Sequence, residues 1–505
     1  MYVVSTLINH SSECARQKTA DVAPHRPGRQ RTSGSDESLH YTNSLYEYVR
    51  YIFRKIAELS TRHYNFTSPQ RQKAMAHLDI VIIGAGLGGL SAAISCALAG
   101  HNVTLLEAAR GLAEIGAGLQ ITPNGSKVLQ QLGVYEKLRP KAAEPTFLQV
   151  LRYSDGKILS RTDRFNDDMR SKYGSPFWDL HRVDVQQALA ERAQQLGVKL
   201  RLGARVAAID FEEPKVTLEN GDEVDADLVV AADGLWSKSQ ECFLAAQDRA
   251  DTPLPTGDLA YRIVLKRDEV KDLELREWIS NPSCSFWIGP GSHAVAYSLR
   301  GGEMFNIVLL CPDDLPADVA KLPGSLEEMR ALFQKWDPVL NRFLDELKSP
   351  VDKWKLMHRP ELPSWCTEKG TFVFLGDACH AMLPYLAQGA NSALEDGAVL
   401  GNVLAAVQQK GDLPVALKLY ESLRKKRGET IVREAFAQRD AFHMQDGKEQ
   451  LARDEYMLSQ LGNEQIIGKF PSRWQCPEVQ PWLYGYDSAR ETTTALLESP
   501  LGTAH

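Results

Sequence analysis

The chain has 505 residues, 43% hydrophobic and 24% charged, which is the balance of an ordinary globular protein and excludes a mostly disordered or collagen-like one. That length supports a large core with a deep ligand cleft, organised in roughly three units at ~150 residues per domain. Lys plus Arg number 58 against 65 Asp plus Glu, a formal net charge of −7, so no overall basic field invites nucleic acid.

Residues 1–76 read as an N-terminal extension, rich in Ser, Thr, Arg, Gln and His, with a disorder-like run at 25–36. Leu45, Val49, Ile52, Phe53, Ile56 and Leu59 share one helical face, with Arg50, Arg54 and Lys55 elsewhere. This pattern fits an amphipathic helix over 45–59, with three readings open: packed on its own domain, not folded at all, or in weak contact with a membrane surface. Asn65-Phe66-Thr67 is a glycosylation sequon, read as chance without a secretory signal. Met75 stands two residues before His77-Leu78-Asp79-Ile80, where the first strong strand begins, and could serve as a start.

From 78 the pattern becomes α/β. Leu78–Ile83 reads as a strand, Leu87–Ala99 as a helix and Val103–Glu107 as a second strand. Uncharged Ile80 to Gly100 is long enough to span a bilayer, but Gly84, Gly86, Gly88 and Gly89 break it, so it is read as strand, turn and helix with no transmembrane span. Asp184–Gln195 reads as a helix, Val198–Leu202 as a strand, Val216–Leu218 and the run after Gly221-Asp222 as a hairpin, and Asp227–Ala232 as a buried strand. Between 255 and 350, strands at 285–288, 293–299 and 305–310 alternate with Gly-rich turns. Helical patterns return at 392–408 and 414–440, and the tail carries Trp474, Trp482, Tyr484 and Tyr486 with few helix signals.

Gly84-Ala-Gly86-Leu-Gly-Gly89 follows a strand and opens a helix. Gly84 permits a tight turn, Gly86 a close approach of backbone to a pyrophosphate, and Gly89 close helix–strand packing. The helix N-terminus faces the phosphates with free N–H groups. Glu107 ends the next strand, placed to accept hydrogen bonds from a ribose. Together they predict dinucleotide binding without separating FAD from NAD. Two later stretches decide that: Ala232-Asp233-Gly234-Leu-Trp-Ser237 after an apolar strand, and Gly376-Asp377 through Pro384, Gly389 and Asn391. Gly376-Asp377 sets a carboxylate at a strand end. The helix that follows points its N-terminus at something electron-rich, which suits an isoalloxazine ring.

On these three motifs, spread over about 300 residues, the chain resembles the class A flavoprotein aromatic hydroxylases, the group of p-hydroxybenzoate and salicylate hydroxylases. Tyr385-Leu-Ala-Gln388-Gly389 and Trp287-Ile-Gly-Pro-Gly-Ser-His293 resemble the salicylate-hydroxylase-like branch. Asp258-Leu-Ala-Tyr261-Arg262 and Trp482-Leu-Tyr-Gly-Tyr-Asp487 resemble fungal members, some of which tailor phenolic polyketides.

The resemblance implies a Rossmann-like α/β FAD-binding domain with an inserted β-sheet substrate domain and C-terminal helices. The expected division is 77–255 for the first part of the FAD-binding domain, 256–355 for the substrate domain, 356–440 for the return and long helix, and 441–505 for a tail. It implies FAD, with NADPH or NADH as co-substrate, and hydroxylation of a small phenolic aromatic by O2 through a C4a-hydroperoxyflavin. Salicylate hydroxylation with loss of CO2, dearomatisation of a bulky phenol, and a non-catalytic flavin-binding protein stand as alternatives. Gly84, Gly86, Gly89, Glu107, Gly118, Arg182, Asp233, Asp377, Pro384, Gly389, Ala390 and Asn391 take cofactor roles. His293, Tyr297 and Arg262 take substrate-facing, catalytic ones. Period two independently sets His293, Val295 and Tyr297 on one strand face, and imidazole titrates near neutral pH, so His293 is the candidate base for a phenol.

Two positions depart from the pattern. Gln240 stands where the family often has Arg, which puts a contact to FAD or NAD(P)H in doubt. Ala387 stands where a Gly is common, as in the salicylate-like branch. His380 is read as structural. The eight cysteines form no C-x-x-C pair, which points to reduced thiols in a cytoplasmic protein and to no metal site. The sequence leaves the oligomeric state open.

Overall fold

The computed structural model describes residues 76–112, 117–463 and 466–503. The amphipathic helix expected at 45–59, the sequon and Met75 lie outside them. No described helix is long and apolar enough to cross a membrane, and the Ile80–Gly100 stretch folds as strand, glycine turn and the helix Leu87–Leu98.

A five-stranded parallel sheet carries the glycine turn. Its order is Phe372–Phe374, Leu228–Ala231, Asp79–Ile83, Asn102–Glu107 and Lys199–Leu202. The central strands are apolar on both faces because helices cover both sides of a parallel sheet. On one side lie the helices Leu87–Leu98 and Gln388–Leu404. They cross so closely that a Cβ at Gly397 would meet the Ala92 nitrogen at 2.4 Å, and one at Gly401 would meet the Ser95 Cβ at 2.3 Å. The hairpin expected after 216 forms between Lys215–Leu218 and Glu223–Asp225.

The second layer is an eight-stranded sheet. Its order is Lys321–Pro323, Asp352–His358, Leu254–Lys266, Met304–Pro312, Ser292–Leu299, Cys284–Gly289, Phe147–Arg152 and Ile158–Asp163. Alternation gives it two different faces. Leu259, Tyr261, Ile263 and Leu265 turn outward with Ala294, Ala296, Phe305, Ile307 and Leu309, into a core under the helices Leu273–Ser280, Leu326–Phe333 and Pro338–Asp345. Ala260 and Arg262, with His293, Val295, Tyr297, Val308 and Leu310, turn the other way into a cavity.

The substrate sheet is not confined to 256–355. The hairpin at 147–163 joins it through parallel pairing of Phe147–Arg152 with Cys284–Gly289, a partnership about 130 residues away that no local pattern announces. Asp352–His358 also runs past residue 355. The tail departs from expectation as well, for it holds the helices Lys448–Ser459 and Ser488–Glu498. Their buried positions are mostly polar, Gln450, Arg453 and Asp454 in one and Ser488 and Thr492 in the other, while Leu451 and Leu497 are exposed, so neither shows an apolar stripe at helical spacing.

Candidate active site

The glycine turn is shaped by close approach. Gly84 has φ +101°, and a Cβ there would sit 2.5 Å from the Ala232 carbonyl oxygen; at Gly89 it would sit 1.9 Å from the Gly84 oxygen. At Gly86 a Cβ would meet nothing within 4 Å. The outer glycines are therefore dictated by packing, while the middle one borders open space, where a pyrophosphate needs the backbone bare. The Glu107 carboxylate accepts the Ala85 and Ala109 N–H groups, both at 2.8 Å. This fixes its orientation and leaves lone pairs for hydroxyls.

Asp377 starts the short helix Asp377–His380, just after Gly376 with φ +64°. Its carboxylate opens into the cavity, and desolvation raises its pKa above the usual carboxylate range against the pull of His380 and Arg182. Ala387 adopts φ +51° at the entry to the helix Gln388–Leu404, a conformation costly for a residue with a Cβ and most often found where function demands it.

Two expected cofactor side chains are engaged elsewhere. The Asn391 amide donates to the Gln120 carbonyl at 2.9 Å and accepts from the Thr122 N–H at 3.1 Å, pinning the flavin-side loop to the strand Gly118–Ile121. The Asp233 carboxylate accepts the Ser237 hydroxyl at 2.6 Å and the Ser239 N–H at 2.9 Å, holding its own turn. What faces the cavity around them is backbone: Ala232 and Gly234 on one side, Gly389 and Ala390 on the other. Gln388 clamps in the same manner as Asn391, to Thr122 and Asn124.

One cavity of about 500 Å³ gathers most of the remaining predicted residues, within the usual size range of small-ligand sites. Gly86, Gly118, Arg182, Asp377, Pro384, Gly389 and Ala390 line one wall, and Arg262, His293 and Tyr297 the other. Gly84, Gly89, Glu107, Asp233 and Asn391 do not line it. Gly118 is a joint between the walls. Its N–H donates to the Asn306 Oδ1 at 2.9 Å, and a Cβ there would strike the Tyr297 ring. Arg262, Val308, Val295 and Phe286 form one cross-strand row, with Ala260, Leu310 and His293 in the next.

Burial lowers the His293 pKa well below the usual imidazole range, with His443 adding to it, and burial pushes the Tyr297 phenol well up. At neutral pH the cavity wall thus presents a neutral imidazole, a weaker base than the near-neutral titration expected of it because burial disfavours its cation, and a protonated hydroxyl, able to donate a hydrogen bond. Arg262 is exposed at the mouth, its guanidinium 5.8 Å from the Trp354 ring centroid, with the Lys321 ammonium 4.4 Å from the same ring. Gln240 is fully buried on the helix Lys238–Ala245 and away from the cavity, its amide atoms without a hydrogen-bond partner among the described residues. His380 bonds Asp396 at 2.6 Å inside a buried network with Arg424, in keeping with a structural role.

Sequence reasoning missed several contributors. Trp354 and Lys321 come from sheet strands with no motif. Trp474, from the tail, lines the cavity and donates its indole N–H to the Tyr385 carbonyl at 3.0 Å. Tyr385 itself donates to Asp258 at 2.6 Å, and His443 meets His293 at 2.7 Å. The period-two spacing of Asp258, Ala260 and Arg262 carried a signal for Asp258; nothing local marked His443.

Residues 77–435 match the family described as FAD binding domain. The chain is 50% identical over 426 residues to the FAD-dependent monooxygenase OpS4 of Beauveria bassiana (strain ARSEF 2860), covering 84% of this chain and 98% of that one. It is 32% identical over 415 residues to the 3-hydroxybenzoate 6-hydroxylase of Polaromonas naphthalenivorans (strain CJ2), covering 82% and 97%. A solved salicylate hydroxylase substrate complex superposes with a TM-score of 0.68 at 21% identity, over 83% of this chain and 98% of that one, a likeness of fold. The open cradle at Gly86, the carboxylate of Asp377 turned into the same cavity and the bare backbone at 389–390 fit the flavin cofactor of that family. The chain belongs to the FAD-binding-domain family of FAD-dependent aromatic monooxygenases.

Proposed function

We propose that the chain hydroxylates a phenolic aromatic ring, using NADPH or NADH and O2. The observation that carries this is the single cavity shared by the flavin-side backbone and by His293, Tyr297 and Arg262. Gly84, Gly86, Gly89 and Glu107 hold the adenosine and pyrophosphate half of FAD. Arg182, Asp377, Pro384, Gly389 and Ala390 hold the flavin half, with Asn391 and Asp233 bracing the backbone around it. Bound FAD supplies the redox chemistry, taking electrons from the nicotinamide and activating O2.

The protein's own part is to bind the ring, orient it and make it electron-rich. His293, buried and neutral, takes the phenolic proton. Tyr297 donates a hydrogen bond to the resulting oxyanion, and Arg262 meets an acidic or polar substituent at the mouth. A water-poor wall of Val295, Val308, Leu310 and Phe286 raises the strength of each of these interactions. The exposed mouth, with Arg262, Lys321 and Trp354, favours a phenol bearing an acidic or extended group over a small, fully enclosed one. The seven described cysteines are unpaired, in keeping with a cytoplasmic location.

The test is NADH and NADPH oxidation by the FAD-loaded protein with 3-hydroxybenzoate, salicylate and one larger phenolic polyketide, each product identified by mass. A product heavier by one oxygen supports the reading and names the substrate size. Catechol from salicylate would favour decarboxylative hydroxylation. Nicotinamide oxidation yielding peroxide alone with all three would count against phenol hydroxylation.

A further inference from the structure

The base expected to take the substrate's proton is not alone. His293 Nδ1 lies 2.7 Å from His443 Nε2. His443 Nδ1 in turn lies 3.9 Å from Asp258 Oδ1, and the other Asp258 oxygen accepts the Tyr385 hydroxyl at 2.6 Å. These groups come from four separate elements: His293 from the strand Ser292–Leu299, His443 from the end of the long helix Leu413–Phe442, Asp258 from the strand Leu254–Lys266, and Tyr385 from the turn Pro384–Leu386. His293 and Asp258 are buried, and the His443 side chain is 9% exposed.

We propose that His443 and Asp258 are positioning residues for His293: they fix its tautomer and carry its proton out of the cavity. This rests on the phenol-hydroxylase reading above. Asp258, as a carboxylate, attracts the N–H of His443 to Nδ1. His443 Nε2 is then a lone pair, which accepts the Nδ1–H of His293. His293 Nε2, the nitrogen left for the cavity, is thereby a lone pair aimed at the substrate. Which ring nitrogen holds the proton is set by the partner of the other.

When the phenolic proton arrives at His293 Nε2, the Nδ1 proton passes to His443 Nε2, and one leaves His443 Nδ1 toward Asp258 and solvent. A proton returning along the same groups resets the chain. The dipole at the C-terminus of the long helix favours the transient cation on His443. The charges facing His443 are Asp258 across the gap and Arg439 and Asp440 on its own helix. Arg439 is anchored to the Thr256 carbonyl and to Asp440. Packed on His293 are Tyr385, Phe442 and His443.

The experiment uses the FAD-loaded protein labelled with 15N-histidine, as wild type, His443→Asn, Asp258→Asn and His293→Ala, the last to identify the His293 signals, with unlabelled His443→Ala for imidazole rescue. The wild type should show His293 protonated at Nδ1. His443→Asn and Asp258→Asn should shift it toward the Nε2–H form with FAD content unchanged. In turnover with the phenol found above, His443→Asn should lower kcat on the order of 100-fold and move the pH profile, and added imidazole should restore activity to His443→Ala. An inert His293→Ala beside an unchanged His293 tautomer and pH profile in both other variants would overturn the relay and leave the phenol reading standing. A His293→Ala protein that turns over as wild type across pH would remove the base, and the relay with it.

Discussion

The two walls of the cavity are made of different material. The flavin wall is mostly backbone: Gly86 of the glycine turn and the peptide groups of Ala387, Gly389 and Ala390, joined by the side chains of Arg182 and Asp377, while Asn391 and Asp233 behind it spend their hydrogen bonds on the loops. The substrate wall is side chain: His293, Tyr297 and Arg262 on strands, backed by His443, Asp258 and Tyr385 from elsewhere. A wall of backbone suits a large, constant cofactor recognised by shape and phosphate. A wall of side chains suits chemistry that must move one proton and admit one substrate.

The sharpest way to break this contrast is at the glycines. Gly89→Ala drives a Cβ to within 1.9 Å of the Gly84 carbonyl, so it should destabilise the fold by several kcal/mol and yield colourless, heat-labile protein. Gly86→Ala has open space around it, so its apo form should melt with the wild type while FAD affinity falls tenfold or more, each ~1.4 kcal/mol of lost contact being a factor of ten. FAD titration and thermal melts of both variants check the pair. Equal behaviour in the two would show that packing alone explains the motif.

The substrate wall should fail the opposite way. His293→Ala should keep its FAD and its melting temperature yet lose roughly 100- to 10,000-fold in kcat, the usual worth of a positioned acid–base group. Tyr297→Phe should cost less, since it removes one hydrogen bond, on the order of tenfold from ~1.5 kcal/mol. Stopped-flow reduction and single-turnover product analysis separate these effects from nicotinamide binding.

The histidine pair also leaves a mark on stability. Burial brings the His443 pKa down to about 4, below its ordinary 6.5. Between those two values the unfolded chain binds more protons than the folded one, so stability is full above pH 6.5 and is lost as pH falls toward 4. The contribution from His443 is about 3 kcal/mol. Denaturant melts at pH 7 and pH 4.5 should therefore show a smaller loss for His443→Asn than for wild type. An identical loss would mean that another group governs the acid limb.

Legibility followed the same division. The flavin wall could be read because backbone chemistry leaves local marks: Gly84, Gly86 and Gly89 at fixed spacing after a strand, and Asp377 after another. Period two gave the shared face of His293, Val295 and Tyr297. What could not be read was pairing at a distance. The hairpin at 147–163 looks like any short β segment until it meets Cys284–Gly289. His443 has no motif, for it ends a helix 150 residues from its partner. Asn391 and Asp233 stand in motifs the sequence marks, but a sequence shows the position of an amide or carboxylate and not the direction in which its hydrogen bonds run.

Gln240 is the finest test of the contrast, with the smallest expected effect. It is fully buried, and neither amide atom has a hydrogen-bond partner among the described residues. A buried amide without partners costs about 1–3 kcal/mol. Gln240→Met keeps the length of the side chain and removes that cost, so it should leave the melting temperature unchanged or raise it by a few degrees, with FAD affinity as in wild type. A gain in stability together with a clear loss of FAD would give the opposite lesson: the amide reaches the cofactor, and the flavin wall holds a side-chain contact beyond those of Arg182 and Asp377.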